Sequence, residues 1–148
     1  MAATEMRYLV VRVSNIDQRD VIDELTKVLA SEGHVWFGKY GQPMSPVSRT
    51  EGERTRVVIL QPRNASSSYL VKTFRFTAYS RHAPMDHAYP AYYSEVWSRI
   101  KTWLRLEDAP PAEQVAIGDL TVSSSGSALK ESLRSSSRSH FVCELRPS

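Results

Sequence analysis

The segment Thr55–Gln61 constrains this chain more than any other, because Val57, Val58, Ile59 and Leu60 follow one another in it without a polar break. A short unbroken apolar run of this kind reads as a buried strand. Arg7–Ser14 (Arg-Tyr-Leu-Val-Val-Arg-Val-Ser) is a second run, rich in β-branched residues, suited to a strand. Between the two the period changes. Val21, Ile22, Leu25, Val28 and Leu29 recur at helical spacing, with acids and bases on the other face. Asn15 or Asp17 is placed to cap the start of that helix, and Gly33 to stop it.

The remaining elements follow from the same rules. His34–Tyr40 predicts a strand that ends in the turn signal Tyr40-Gly41-Gln42-Pro43, and the polar Ser45–Glu53 predicts a loop. Pro62–Ser68 turns the chain into Tyr69–Tyr79, the longest strand candidate. Its alternation puts Phe74, Phe76 and Ala78 on one face and Thr73, Arg75, Thr77 and Tyr79 on the other. Tyr93, Val96, Trp97 and Ile100 fit a short helix, and Thr102–Leu106 a strand ended by Pro110 and Pro111. Ala116–Leu120 reads as one helical turn or a short loop before Thr121–Val122. The serine-rich end has the composition of a flexible tail. Against that, Ala128, Leu129 and Leu133 have helical spacing after Gly126, and Phe141–Leu145 looks like a closing strand. The whole chain, 1–148, is expected to be a single α+β domain: a curved, partly open β-barrel of five or six strands flanked by helices.

With 148 residues, 41% of them hydrophobic and 24% charged, the chain can bury a real core. Its one cysteine, Cys143, excludes an internal disulfide and suits a reducing compartment, so a cytoplasmic protein is expected. Neither a secretory signal nor an apolar stretch of membrane-spanning length is present, so no membrane partner is expected. The net charge of +3 permits a polyanionic partner without requiring one.

Catalysis finds little support. There is no Gly-rich phosphate loop and no cysteine pair for zinc. His82, Asp86 and His87 are the one local metal-like cluster, and in a Pro-containing stretch they read as a solvated loop. Ser124, Ser125, Ser137 or Cys143 could be paired on paper with His34, His82, His87 or His140. None sits in a strand–turn–helix context, and Cys143 within an apolar strand reads as a small core residue. A binding protein without catalytic residues, cofactor or metal is the expectation.

The aromatic residues carry more information. Trp36, Phe37 and Tyr40 bracket Gly38 and Lys39; Tyr79 is followed by Ser80, Arg81 and His82; Tyr89, Tyr92 and Tyr93 precede Trp97 and Trp103. Neighbours on a strand point to opposite faces, so Trp36 and Phe37 cannot both be core. Aromatic walls suit nucleobases, since every base offers a π-face, while Lys39, Arg81, Arg134 and Arg138 could hold phosphates.

This layout resembles the PUA-like superfamily, and within it the EVE and YTH branch. The resemblance spans most of the chain and rests on element order and three local patterns. These are Val35-Trp36-Phe37-Gly38-Lys39; Tyr89-Pro90-Ala91-Tyr92-Tyr93 with Lys101-Thr102-Trp103-Leu104-Arg105-Leu106; and Leu133-Arg134-Ser135-Ser136-Ser137-Arg138-Ser139 before Phe141-Val142. The last is similar to the Leu-Arg-x-x-Ser-Arg-x-Ser closure of EVE-type domains. The Trp-Asp-Gly-Val-Arg-Asn-like stretch usual after the first strand of such domains is replaced by the amphipathic helix.

The resemblance implies a reader that captures one flipped, modified base, such as 5-methylcytosine, in an aromatic cage, with DNA favoured over RNA. It implies Trp36 and Tyr40 as cage members, and Tyr79, Trp97 or Trp103 as a second wall. Ser80, Ser124 and Ser125 would read the base edge, and Arg134 and Arg138 would contact phosphates. Downstream action would come from an effector protein in trans. Two alternatives stand beside it: an ASCH-like hydrolase acting on nucleosides or RNA, with Lys72, Thr73 and Glu95 as its candidate site, and a protein–protein adaptor using an exposed aromatic patch around Trp36.

Overall fold

The computed structural model describes residues 6–13, 20–40, 54–63, 69–136, 138 and 140–146. Strand β1 (Arg7–Arg12) leads to helix α1 (Val21–Glu32) and to strands β2 (Val35–Tyr40), β3 (Thr55–Pro62) and β4 (Tyr69–Ser80). Two 3-10 turns, Ala91–Glu95 and Trp97–Arg99, precede β5 (Ile100–Asp108). Two more, Pro111–Glu113 and Ile117–Asp119, precede β6 (Leu120–Val122), α2 (Leu129–Ser135) and β7 (His140–Leu145).

All seven strands join one sheet in the order β2-β5-β4-β3-β1-β7-β6. β1 and β3 run parallel, and every other pairing is antiparallel. The α+β class expected from the sequence holds. Among the described residues the sheet has seven strands, not the five or six expected, and it does not close, with β2 and β6 as its edges.

The parallel pair explains the unbroken run in β3. Leu9, Val11, Val57 and Ile59 pack with Leu25 and Leu29 of α1 on one face. Tyr8, Val10, Val58 and Leu60 pack with Leu129 and Leu133 of α2 on the other. Strands covered on both faces have no polar side to alternate with. α1 starts at an Asp20 N-cap, whose carboxylate accepts the Asp23 N–H at 3.2 Å, while Asn15 and Asp17 lie outside the described residues. It ends where Gly33, at φ +84°, donates its N–H to the Leu29 carbonyl.

One face assignment changes. The β4–β5 register shifts between Phe76 and Ala78, and Tyr79 packs against the same core as Phe74 and Phe76 instead of sharing the polar row. Where β5 ends, the Gln114 amide takes over as a pairing partner of β4. It accepts the Thr73 N–H and donates to the Thr73 carbonyl, both at 2.9 Å.

The serine-rich end is part of the fold. The Arg12 guanidinium donates to the carbonyls of Leu133 (2.8 Å), Ser136 (2.7 Å) and Arg138 (2.6 Å) and lies over the Phe141 ring. A cation on the last carbonyls of α2 is the arrangement that the helix terminus favours. Among the described residues no helix is long and apolar enough to cross a membrane.

Candidate functional site: an aromatic pocket between the ends of β1 and β2

Among the described residues β2 pairs with β5 alone, and the segment after β4 covers its other side. The Trp36 N–H donates to the Ala88 carbonyl at 2.7 Å, and the Gly38 N–H to the Tyr93 hydroxyl at 3.0 Å. Asp86 anchors this segment. Its carboxylate accepts the Ala88 N–H (3.1 Å) and lies 2.9 Å from His34 Nε2 and 3.4 Å from Trp36 Nε1. Partial burial pushes its pKa up, but the hydrogen bonds from Ala88, His34 and Trp36 outweigh this and hold the carboxyl below its ordinary value. Asp86 therefore serves the fold, and among the described residues no three His, Cys, Asp or Glu side chains gather to hold a metal.

Above this edge the rings of Tyr89, Tyr93, Trp97 and Trp103 pack with centroids 5.4–6.0 Å apart. Gly38 permits the approach, since a Cβ there would stand 2.8 Å from the Ile100 side chain.

The pocket opens beside this cluster. It encloses about 100 Å³ between the end of β1 and the end of β2, strands that three others separate in the sheet order. The sheet therefore curls enough to bring them face to face. Val11, Val13 and Val21 line it on one side; Phe37, Tyr40, Tyr92 and Tyr93 give it aromatic walls. Lys39 enters the same space. It shares a strand face with Phe37, is only 2% exposed, and its amine donates to the Tyr40 carbonyl at 3.2 Å. Burial pushes its pKa down, because a charged amine loses its hydration there.

Of the residues singled out by sequence, Lys39 and Tyr40 meet in the pocket. The others are placed elsewhere. Trp36 is half-buried against the ring cluster, Trp103 is a core residue at 3% exposure, and Trp97 stands 42% exposed at the rim of that cluster. The Tyr79 hydroxyl accepts from Arg81 Nε at 3.2 Å, and Ser80 Oγ closes a turn by bonding the N–H and carbonyl of His82. Ser124 and Ser125 lie exposed in the turn after β6, at the sheet edge opposite β2. Arg134 is exposed on α2, and Arg138 lies over Phe141 beside His140.

The hydrolase candidates do not converge. Thr73 is fully buried, its hydroxyl accepting the Val115 N–H, while neighbouring Lys72 turns its amine toward Phe74. Lys72 lies beyond the Asp108 end of β5 and Glu95 before its Ile100 end. At about 3.3 Å per residue the length of that strand, roughly 25 Å, separates them.

Tyr92 and Tyr93 were visible as part of a crowded aromatic segment, but their place in the pocket was not. The Phe37/Lys39 spacing of two residues was the one local signal pointing there. No protein-family model, curated protein or solved structure matches the chain, so any functional reading rests on these residues themselves.

Proposed function

We propose that this chain is a nucleic-acid binding module that takes a single modified base, methylated and DNA-borne in the first instance, into the pocket between β1 and β2. The observation that carries this reading is the combination of aromatic walls with a buried amine: Phe37, Tyr40 and Tyr92 around Lys39. Aromatic faces stack on any base, and an ammonium with three donors recognises the acceptor edge of a base or an adjacent phosphate. A space of about 100 Å³ is of the order of one flat ring system. Selectivity then comes from the fit of the flipped base.

Fluorescence-anisotropy titrations test it, with matched short oligonucleotides, unmodified and carrying 5-methylcytosine or N6-methyladenine, as DNA and as RNA, at two salt concentrations. Tighter binding of one modified probe, abolished by Tyr40→Ala, is the expected result. Equal, salt-sensitive binding of every probe overturns it, because charge alone then accounts for the affinity. A second reading, a protein-binding adaptor, draws on the exposed Trp97 and on Met85 at 91% exposure in the same covering segment. Absence of binding to any probe at low salt favours that one.

A further inference from the structure

We propose that Lys39 and His140 form an anion-binding pair at the mouth of the aromatic pocket, gripping the phosphate beside the captured base. The inference rests on the base-binding reading above and names the second half of the ligand.

Strand register brings the two side chains together. His140 pairs with Val11 across β1 and β7, and directly paired residues of antiparallel strands share a face. Val11 lines the pocket, and Val142, two residues beyond His140, packs against the same core. Lys39 shares the face of Phe37, which lines the pocket from β2. Lys39, in the pocket lining, and His140, beside that lining on the face of Val11, thus lie on one face of the sheet although their strands are far apart in it.

His140 also has an unexplained polar atom. Its Nδ1 is buried and has no hydrogen-bond partner. Buried polar atoms in folded proteins nearly always have one, so this nitrogen is suited to a ligand. Among the described residues the two charges that act on its imidazole are both positive. They are those of Lys39 on β2 and Arg138 in the connection after α2. Arg12, next to Val11 on β1, also lines the pocket, but its guanidinium is bonded to the carbonyls at the end of α2. β6 ends at Val122, opposite Cys143, before the level of His140. Burial first, then Lys39 and Arg138, push the imidazole pKa below its ordinary 6.5, so the ring is neutral when the site is empty at neutral pH.

An entering anion reverses that balance. It stabilises the imidazolium, raises the His140 pKa and draws in a proton. Binding must then tighten as pH falls toward the pKa of the empty site, below 6.5. Release of the anion returns the proton.

The test uses the intact protein and three probes: 5-methyldeoxycytidine, its 5′-monophosphate, and inorganic phosphate. Calorimetric titrations run at about pH 5.5 and about pH 7.5, on either side of an ordinary histidine pKa. Imidazole NMR follows His140 in the unmutated protein. The monophosphate should bind about tenfold or more tighter than the nucleoside at the lower pH, the scale of a charge-assisted contact. That advantage should shrink severalfold at the higher pH. His140→Ala should abolish the tightening at lower pH and leave only the opposite trend set by the phosphate's own second ionisation, about pH 6, and Lys39→Met should remove most of the phosphate advantage. Inorganic phosphate alone should move the His140 resonance and raise its titration midpoint.

Equal affinity for nucleoside and monophosphate, or a His140 signal indifferent to phosphate, overturns the proposal even if a modified oligonucleotide is still preferred. Phosphate binding that titrates with His140, without any preference among oligonucleotides, keeps the anion site and removes the base reading.

Discussion

The two faces of the sheet use the same kind of side chain and end differently. Under α2, Leu129 and Leu133 close over Tyr8, Val10, Val58, Leu60 and Phe141. Under α1, Leu25 and Leu29 cover the middle of the sheet and leave a cavity where β1 and β2 end. Burial acts on a titratable group on each side. On the closed face it pushes the Cys143 thiol up to about 12, with a smaller contribution from Glu144, so the cysteine is an inert core residue. On the open face it pushes the Lys39 amine down. Desolvation opposes the charged form in both cases. A neutral thiol inside a packed core has nothing to meet, whereas an amine in a pocket can bond whatever enters. The lesson is that helix placement over the sheet, more than residue type, separates a core from a site.

The largest expected effect tests whether the faces are independent. Leu129→Ala removes a fully buried side chain and should cost about 2–5 kcal/mol by denaturant unfolding. Ligand affinity should be unchanged wherever the variant is still folded. A parallel loss of affinity would show that the closed face supports the pocket. Next comes Gly38→Ala, whose methyl would stand 2.8 Å from Ile100. Overpacking of this kind costs about 1–3 kcal/mol, and here it should also weaken binding, because the Tyr93 hydroxyl is held by the Gly38 N–H. Unfolding and anisotropy measurements on the same preparation separate the two losses.

The smallest effect lies away from both cores, where Glu113 joins Arg75 (2.6 Å) and Arg56 (2.8 Å). The hydrogen bond from Arg75, then that from Arg56, outweigh desolvation and hold the carboxyl at about 2 instead of 4.5. A carboxyl with a depressed folded-state pKa stabilises the fold above its ordinary value, and that stabilisation is lost as pH falls through 4.5 toward 2. Urea unfolding across that range should therefore show a shallower acid decline in Glu113→Gln than in the unmutated chain. Pocket affinity should be the same in both.

Much of this was legible in the sequence, and the rest was not, for reasons that can be named. β1 and β3 announce themselves because burial on both faces demands unbroken apolar runs, and Gly33 because the end of α1 needs a positive φ. The cap at Asp20 was displaced in the reading toward Asn15 and Asp17, since several polar residues precede Val21. The bulge after Phe76 inverted the face of Tyr79, and nothing local marks a register shift. The stretch from Arg81 to Arg99 resisted most. It is held by contacts to β2, Trp36 to Ala88 and Gly38 to Tyr93 in the first 3-10 turn, which no local period records. For the same reason Trp97 and Trp103, equivalent as letters, part company as a rim residue and a core residue.

The covered side of β2 has a consequence for how copies of this protein meet. A strand with bare N–H and C=O groups is a template on which another chain can polymerise. Here one end of the sheet is sealed by the Ala88 carbonyl and the Tyr93 hydroxyl, and the other ends in the three-residue β6, bridged from Thr121 to Ala128. Among the described residues neither end offers a long free ladder. Such an arrangement disfavours the edge-to-edge pairing of copies into fibres, and cutting the covering segment near Met85 is the change expected to uncover the edge.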